Sequence, residues 1–75
     1  MDTLLSRITF EDGKNGGRAS IRNMRLRVHD VLELLAEGVP EAEIIDEFPD
    51  LEPDDIRACL AYAAAITGDN VIVLA

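Results

Sequence analysis

The sequence is poor in the residues that form disulfides and metal sites. Its 75 residues include one cysteine, Cys59, and one histidine, His29. A lone cysteine excludes an intrachain disulfide, and one histidine with one distant cysteine cannot complete a zinc site. We therefore expect no metal and no other cofactor, a structural or surface role for His29, and a core position for Cys59. Free cysteine also favours a reducing compartment, and we expect the cytoplasm.

Long apolar runs are missing as well. No stretch approaches the ~20 apolar residues of a membrane-spanning helix, and the first residues lack the basic region and apolar core of a signal peptide. A chain of this length buries only roughly 60% of its unfolded surface, so its stability is marginal. We expect one soluble domain over residues 1–75, away from membranes, with a partner subunit.

Aromatic and nucleophilic residues are too sparse for base stacking or catalysis. The aromatic residues are Phe10, Phe48 and Tyr62, with no tryptophan, which is too few for a nucleic-acid stacking platform. Ser6 and Ser20 lack a base that would activate them. The sequence therefore predicts no active site, and we do not expect an enzyme.

Positive charge is scarce and unevenly placed. The formal net charge is −8, with seven Lys and Arg against fifteen Asp and Glu. Residues 1–28 hold six basic and three acidic residues, a net +3, whereas residues 29–75 hold one basic and twelve acidic residues, a net −11. This split indicates two surfaces with different partners, or a basic arm that docks on the acidic half of a second copy.

Most of the positive charge lies in residues 16–28, here called the arginine segment. Its polar and apolar residues alternate with the period of two that is typical of strands buried on one face. The phase changes once, at Asn23-Met24, which predicts a tight turn there, or a looser loop of three or four residues because Met tolerates positive φ poorly. A tight turn predicts two cross-strand pairs on the buried face, Ile21 with Leu26 and Ala19 with Val28.

Either turn gathers the arginines on the opposite face together with Ser20. Arg22 opposite Arg25 is unfavourable unless an anion lies over the pair. Such a basic cluster is typical of a surface for an anionic partner, and a solvated hairpin face is the alternative. The candidate residues for binding a partner or nucleic acid are Lys14, Arg18, Arg22, Arg25 and Arg27.

From Val28 onward the apolar period changes to that of helices, which predicts three short helices over residues 29–67. The first runs from about His29 to Glu37 with Gly38 as its cap, the second is opened by Pro40 and ended by Pro49, and the third is opened by Pro53 and stopped by Gly68. The predicted buried residues are Val28, Val31, Leu32 and Leu35 in the first helix, Ile44, Ile45 and Phe48 in the second, and Ile56, Leu60, Ala63 and Thr67 in the third.

Two short β-branched segments complete the predicted fold. Arg7–Phe10 predicts a strand, and the apolar Val71–Leu74 predicts a C-terminal strand or tail that pairs with this chain or with a partner. The fold class is therefore mainly α with a small β part. An N-terminal β-hairpin or short sheet in residues 1–28 precedes a tri-helical, helix-turn-helix-like bundle at 29–67, and residues 68–75 form the tail.

The spacing of the helices is that of a helix-turn-helix domain, whose last helix enters the major groove of DNA. The residue types oppose such a role here. The exposed start of the third helix offers Asp54 and Asp55 against Arg57 alone, and carboxylates repel phosphates. If DNA is bound, the arginine segment is the better candidate for the contact.

Seven motifs occur in an order typical of a known family. They are Arg7-Ile8, Gly16-Gly17-Arg-Ala-Ser-Ile21-Arg22-x-x-Arg25-Leu26-x-Val28, Asp30-Val31-Leu32, Gly38, Phe48-Pro49-x-Leu51, Asp55-Ile56-Arg57-Ala58 and Ala61-Tyr62-Ala63. On these motifs the sequence, from residue 7 to about 65, resembles the DUF433 (domain of unknown function 433) family of small helix-turn-helix-like proteins. The family pattern usually has Pro in place of Ala19 and Gly in place of Asn23.

The resemblance implies an antitoxin that is encoded beside a PIN-like ribonuclease toxin. With the charge split, it predicts an antitoxin-like homodimer that binds and neutralises such a toxin, with operator DNA as a second candidate ligand. The arginine face would contact DNA phosphates or the carboxylates of the nuclease, and the sequence leaves this choice open. The alternatives are a stand-alone transcriptional regulator and a structural homodimer module.

Overall fold

The computed structural model describes residues 4–10 and 18–68. A 3₁₀ helix (Leu4–Arg7) is followed by strands β1 (Ile8–Thr9) and β2 (Ser20–Ile21) and by helices α1 (Val28–Ala36), α2 (Glu41–Glu47) and α3 (Pro53–Thr67). The predicted fold class, mainly α with a small antiparallel sheet before three helices, is confirmed. The predicted C-terminal strand at 71–74 lies outside the described residues.

The two strands pair antiparallel, with Ile8 opposite Ile21 and Thr9 opposite Ser20. The strand that pairs with β2 is therefore β1, which precedes it in the chain, and the predicted second arm of the hairpin contributes less. β2 lies between β1 and the start of α1, and Ile21 is fully buried there. The N–H of Arg22 donates to the carbonyl oxygen of Arg7 at 2.8 Å and extends the pairing by one hydrogen bond.

The predicted hairpin is present as one antiparallel bridge, between Ser20 and Arg27. This bridge has the predicted register. Two backbone hydrogen bonds flank it, from Ile21 N–H to Leu26 O at 3.2 Å and from Val28 N–H to Ala19 O at 3.0 Å. The second arm of the hairpin does not continue as a strand, because α1 begins at Val28.

Gly38 ends α1 as predicted. Its φ is +88°, in the left-handed region that glycine adopts without strain. The N–H of Gly38 donates to Leu35 O at 3.0 Å, and the N–H of Val39 donates to Leu34 O at 3.1 Å. These two bonds form a Schellman motif, which turns the chain sharply from α1 towards α2.

One core joins the strands and the three helices. Its fully buried apolar residues come from every element after β1, and the partly buried Ile8 of β1 packs against them. The buried set is Ile21, Val28, Val31, Ile44, Leu51, Ile56, Ala58 and Cys59. Leu32, Leu35, Ile45 and Phe48, which were predicted as buried, pack against this core as partly buried residues.

The predicted buried face of α3 is wrong in phase. Ile56 is buried as predicted, but Leu60 is 47% exposed and Thr67 is exposed. The other buried residues of the helix are Asp55, Ala58 and Cys59, of which Cys59 was predicted in the core. The buried face of α3 is therefore rotated by about one residue, ~100°, relative to the apolar stripe in the sequence. The rotation arises because Asp55 faces inward, where two arginines bond to it. Among the residues that the structure describes, none of the helices has the length and apolar character needed to cross a membrane.

Candidate partner-binding surface

A four-residue loop follows β2 and is closed at two points. The N–H of Met24 donates to Ile21 O at 2.7 Å, and the N–H of Ile21 donates to Leu26 O. Arg22 and Asn23 have φ values of 45° and 62°, so the turn is centred on these two residues, one position before the predicted one. Of the two predicted turns, the looser loop of three or four residues therefore forms, and the tight turn does not. Asparagine adopts positive φ readily, whereas arginine does so at a cost.

The side chain of Arg22 reaches the start of α3. Its Nε donates to Asp55 Oδ1 at 2.9 Å, and its Nη2 donates to Asp55 Oδ2 at 2.6 Å. The same Nη2 donates to the backbone oxygen of Asp50 at 2.7 Å. The Asp55 side chain is fully buried, whereas that of Arg22 is 36% exposed. The prediction that Asp55 lies at the exposed start of the helix is therefore wrong.

Arg7 binds the same carboxylate. Its Nη1 donates to Asp55 Oδ1 at 2.9 Å and to Glu52 Oε1 at 2.7 Å. The backbone N–H of Glu52 donates to Asp55 Oδ2 at 2.8 Å, as a carboxylate in the first turn of a helix does when it reaches back to the cap. Four donors therefore surround one buried carboxylate, which links the 3₁₀ helix and the loop after β2 to α3.

The hydrogen bonds keep this cluster ionised. Burial is the largest single influence on Asp55 and acts to raise its pKa, but the bonds from Arg22, the Glu52 N–H and Arg7 together outweigh it and lower the pKa. The bond to Glu52, followed by that to Asp55, raises the pKa of Arg7. The bond to Asp55 raises the pKa of Arg22. We conclude that the cluster stabilises the fold and that Arg22 has its partner inside the chain.

Arg27 also has an internal partner. Its Nη2 donates to Asp30 Oδ1 at 3.1 Å, and its backbone N–H donates to Asp30 Oδ2 at 3.3 Å. Burial acts to raise the pKa of Asp30, but these bonds from Arg27 lower it overall. Asp30 lies in the first turn of α1, where a negative charge is stabilised by the helix dipole. This pair therefore fixes the beginning of α1.

The other arginines of the segment are exposed. Arg18 and Arg25 make no ion pair with any residue in 4–10 or 18–68. Ser20 was predicted on their face but is buried, and its hydroxyl donates to Arg18 O at 3.1 Å. Lys14 lies outside the described residues. The arginine segment thus contains two internally paired arginines and two exposed arginines that pair with none of the described residues.

His29 and Cys59, which the sequence excludes from a metal site, lie at the surface and in the core, respectively. His29 is exposed, and its Nε2 lies 3.7 Å from Glu33 Oε1. Cys59 is buried, and burial, followed by the charge of Asp55, raises the pKa of its thiol to about 12. The part of the chain that the structure describes contains no group of three or more His, Cys, Asp or Glu side chains that could hold a metal ion.

Sequence reasoning missed Arg7 and Asp55 as a pair. The local signal was present, because Asp55 is the third residue of a helix that Pro53 opens, where a carboxylate caps the N-terminus. The capping position predicts that the Asp55 carboxylate lies beside the end of its own helix. It does not predict the contacts with Arg7 and Arg22, which the tertiary fold brings near. Asp54 remains at the surface with Arg57, whose Nη1 lies 3.2 Å from its Oδ1.

Comparison with known proteins places the chain in context. A family model described as "Protein of unknown function (DUF433)" matches residues 8–63. A crystal structure of a DUF433 member protein from Anabaena variabilis ATCC 29413 superposes with a TM-score of 0.75 at 30% identity. The match covers 79% of this chain and 58% of that protein, so this chain spans less than two thirds of the other's length. No curated protein matches the sequence.

Proposed function

The chain belongs to the DUF433 family, and we propose that it is an antitoxin-like binding protein that binds and neutralises a PIN-like ribonuclease toxin. In this proposal it has no catalytic activity of its own, acts in the cytoplasm and forms a homodimer. The observation that carries the proposal is the exposure of Arg18 and Arg25 on an otherwise acidic protein. Arg22 and Arg27 bond to Asp55 and Asp30, whereas Arg18 and Arg25 have no ion-pair partner among residues 4–10 and 18–68.

The chemistry of the proposed target suits these two residues. A PIN-type active site is a cluster of carboxylates around a metal ion. The guanidinium group presents two parallel N–H donors that match the two oxygens of a carboxylate. Insertion of Arg25 or Arg18 would neutralise the carboxylates that the metal needs. We therefore propose inhibition by direct occupation of the nuclease centre.

Operator DNA is a second proposed ligand, through the same exposed arginines. Contacts of this kind would be made to phosphates and would position the protein without reading the sequence of the DNA. The start of α3 suits DNA poorly, because Asp54 already accepts a bond from Arg57, the one basic residue of that helix. A carboxylate at the tip of the helix also repels the phosphates on either side of the groove.

Capture of the natural partner tests the proposal. The tagged protein is purified from its own host at moderate salt, with and without nuclease treatment, and the bound proteins are identified by mass spectrometry. The captured proteins are then purified and assayed on RNA while this chain is titrated in. We expect a ribonuclease that survives DNA digestion and loses its activity at one equivalent of this chain.

Other outcomes overturn the proposal. Recovery of DNA alone, lost on digestion, would support a stand-alone regulator. Recovery of nothing but the protein itself would support a structural homodimer module. Capture of a ribonuclease whose activity is unchanged by an excess of this chain would also contradict neutralisation.

A further inference from the structure

A shallow groove with an apolar floor lies between α1 and α2. Its volume is about 580 Å³, within the range of roughly 300–1,000 Å³ that is usual for ligand-binding clefts. The floor is formed by Leu34, Val39, Ile44 and Phe48. Ile44 is fully buried, but the other three are only partly buried, so the groove exposes apolar surface.

A second groove, of about 220 Å³, adjoins the first and shares Glu47 and Phe48 with it. Its other walls include Met24 and Leu26, the neighbours of Arg25 in the chain. The apolar surface therefore continues from the helices to the loop that carries Arg25. We call the two together the acidic groove, for the residues at its rim.

Four carboxylates line the acidic groove. They are Glu43, Asp46, Glu47 and Asp50. None of them makes an ion pair with a residue in the described ranges, whereas Asp30, Asp54 and Asp55 each pair with an arginine. Uncompensated charge of one sign around an apolar floor favours an occupant of the opposite sign with apolar side chains of its own.

We infer that the acidic groove docks a positively charged amphipathic helix of a partner protein. The apolar face of that helix lies on Leu34, Val39 and Phe48, and its Lys and Arg side chains lie against the carboxylates of the rim. Helix-in-groove docking of this kind is a recurrent mode of recognition. A second copy of this chain is a poor occupant, because its helices α1, α2 and α3 carry one arginine between them, Arg57, and no lysine.

This inference rests on the proposed function and adds a second contact to it. An enzyme that cleaves RNA holds the phosphates with basic residues that flank its carboxylate centre. This chain presents the opposite pattern, with the basic Arg25 beside an acidic groove. The groove therefore covers the basic RNA-binding surface of the nuclease while the arginine faces its carboxylates.

Designed peptides test the groove directly. The probes are a labelled helical peptide of Leu and Lys with one apolar face and the same peptide with every Leu replaced by Ser. Binding is measured by fluorescence anisotropy at physiological salt. The variant is Glu43→Lys with Glu47→Lys, and the matched control is Glu33→Lys with Glu37→Lys, two exposed residues at the same spacing that line neither groove.

We expect the groove variant to weaken binding of the Leu and Lys peptide by roughly tenfold or more, and the control by less than about twofold. The Ser and Lys peptide should bind wild type at least about tenfold more weakly. Equal weakening by the two double variants, or equal binding of the two peptides, would overturn the inference. So would a dimer, seen by sedimentation velocity, that the groove variant dissociates, because the second copy would then be the occupant.

The failure of this inference is distinguishable from that of the proposed function. If no ribonuclease is inhibited but the peptide results hold, the groove docks a basic helix of another partner and the proposed function alone fails. If a ribonuclease is inhibited equally well by wild type and by the groove variant, the second contact alone fails.

Discussion

Arg22 and Asp55 lie 33 residues apart in the sequence and form a two-point ion pair, with Nε–Oδ1 of 2.9 Å and Nη2–Oδ2 of 2.6 Å. The pair explains both the positive φ of Arg22 and the burial of the Asp55 carboxylate. Arg22 has a φ of 45°, which costs roughly 1–2 kcal/mol in an L-residue, and a fully buried carboxylate without partners would cost more. The ion pair offsets both costs and fixes the loop after β2 on α3.

Asp55→Asn should destabilise the fold strongly. The variant removes a carboxylate that accepts four hydrogen bonds, and loss of one member of a buried pair costs about 3 kcal/mol. Glu52→Gln is the control, because Glu52 is 57% exposed and its pair with Arg7 is worth less than about 1 kcal/mol. Urea denaturation followed by circular dichroism measures both. Equal free energies of unfolding in Asp55→Asn and wild type would contradict the structural role of the cluster.

The same carboxylate predicts how stability depends on pH. The folded pKa of Asp55 lies below its ordinary value of 3.8, so the unfolded chain binds more protons than the folded chain in that range. The stabilisation is present above the ordinary pKa and is lost as the pH falls through the folded pKa. We expect the free energy of unfolding to fall between about pH 5 and pH 3, and to fall less in Asp55→Asn. Parallel pH curves for the two proteins would refute this.

The φ of Asn23 predicts different effects on stability for two small substitutions. Asn23→Gly should leave stability within about 0.5 kcal/mol, because glycine adopts a φ of 62° without strain and the backbone N–H still donates to Thr9. Asn23→Ala should cost about 1 kcal/mol, a fall in melting temperature of roughly 4–8 °C for a domain of this size. Calorimetry on the two variants measures both melting temperatures. A melting temperature for Asn23→Ala at or above that of Asn23→Gly would show that the turn has another geometry.

Two alanine substitutions test the orientation of α3. Ile56 is fully buried, so Ile56→Ala should cost about 2–5 kcal/mol. Leu60 is 47% exposed, so Leu60→Ala should cost less than about 1 kcal/mol. The apolar stripe in the sequence predicts similar costs for both, and a measured cost for Leu60→Ala as large as that for Ile56→Ala would favour that stripe over the structure.

Local chemistry made much of the fold predictable. Gly38, Pro40 before α2 and Pro53 at the first position of α3 mark the helix boundaries, and the change of phase near Asn23 fixes the register of the Ser20–Arg27 bridge. These signals depend on residues that are close in the sequence. The fold class followed from them because each element is short and begins or ends at a distinctive residue.

The roles of the arginines were not predictable in the same way. Alternation places Arg22 and Arg25 on one face, but it carries no information about Asp55, which comes near only when α3 packs on the strands. The same long-range pair turns α3 away from its apolar stripe. Of the predicted partner-binding residues, the sequence could not separate the internally bonded Arg22 and Arg27 from the exposed Arg18 and Arg25.

Inhibition of the captured ribonuclease by an arginine variant tests the central proposal most directly. Arg18→Glu with Arg25→Glu should leave the circular dichroism spectrum unchanged, since neither side chain pairs with a described residue. We expect the variant to inhibit the ribonuclease with an affinity at least about tenfold weaker than wild type, because reversed charges face its carboxylates. Arg57→Glu, at an exposed arginine on α3, should inhibit as wild type does. Inhibition by Arg18→Glu with Arg25→Glu at wild-type affinity would contradict the account.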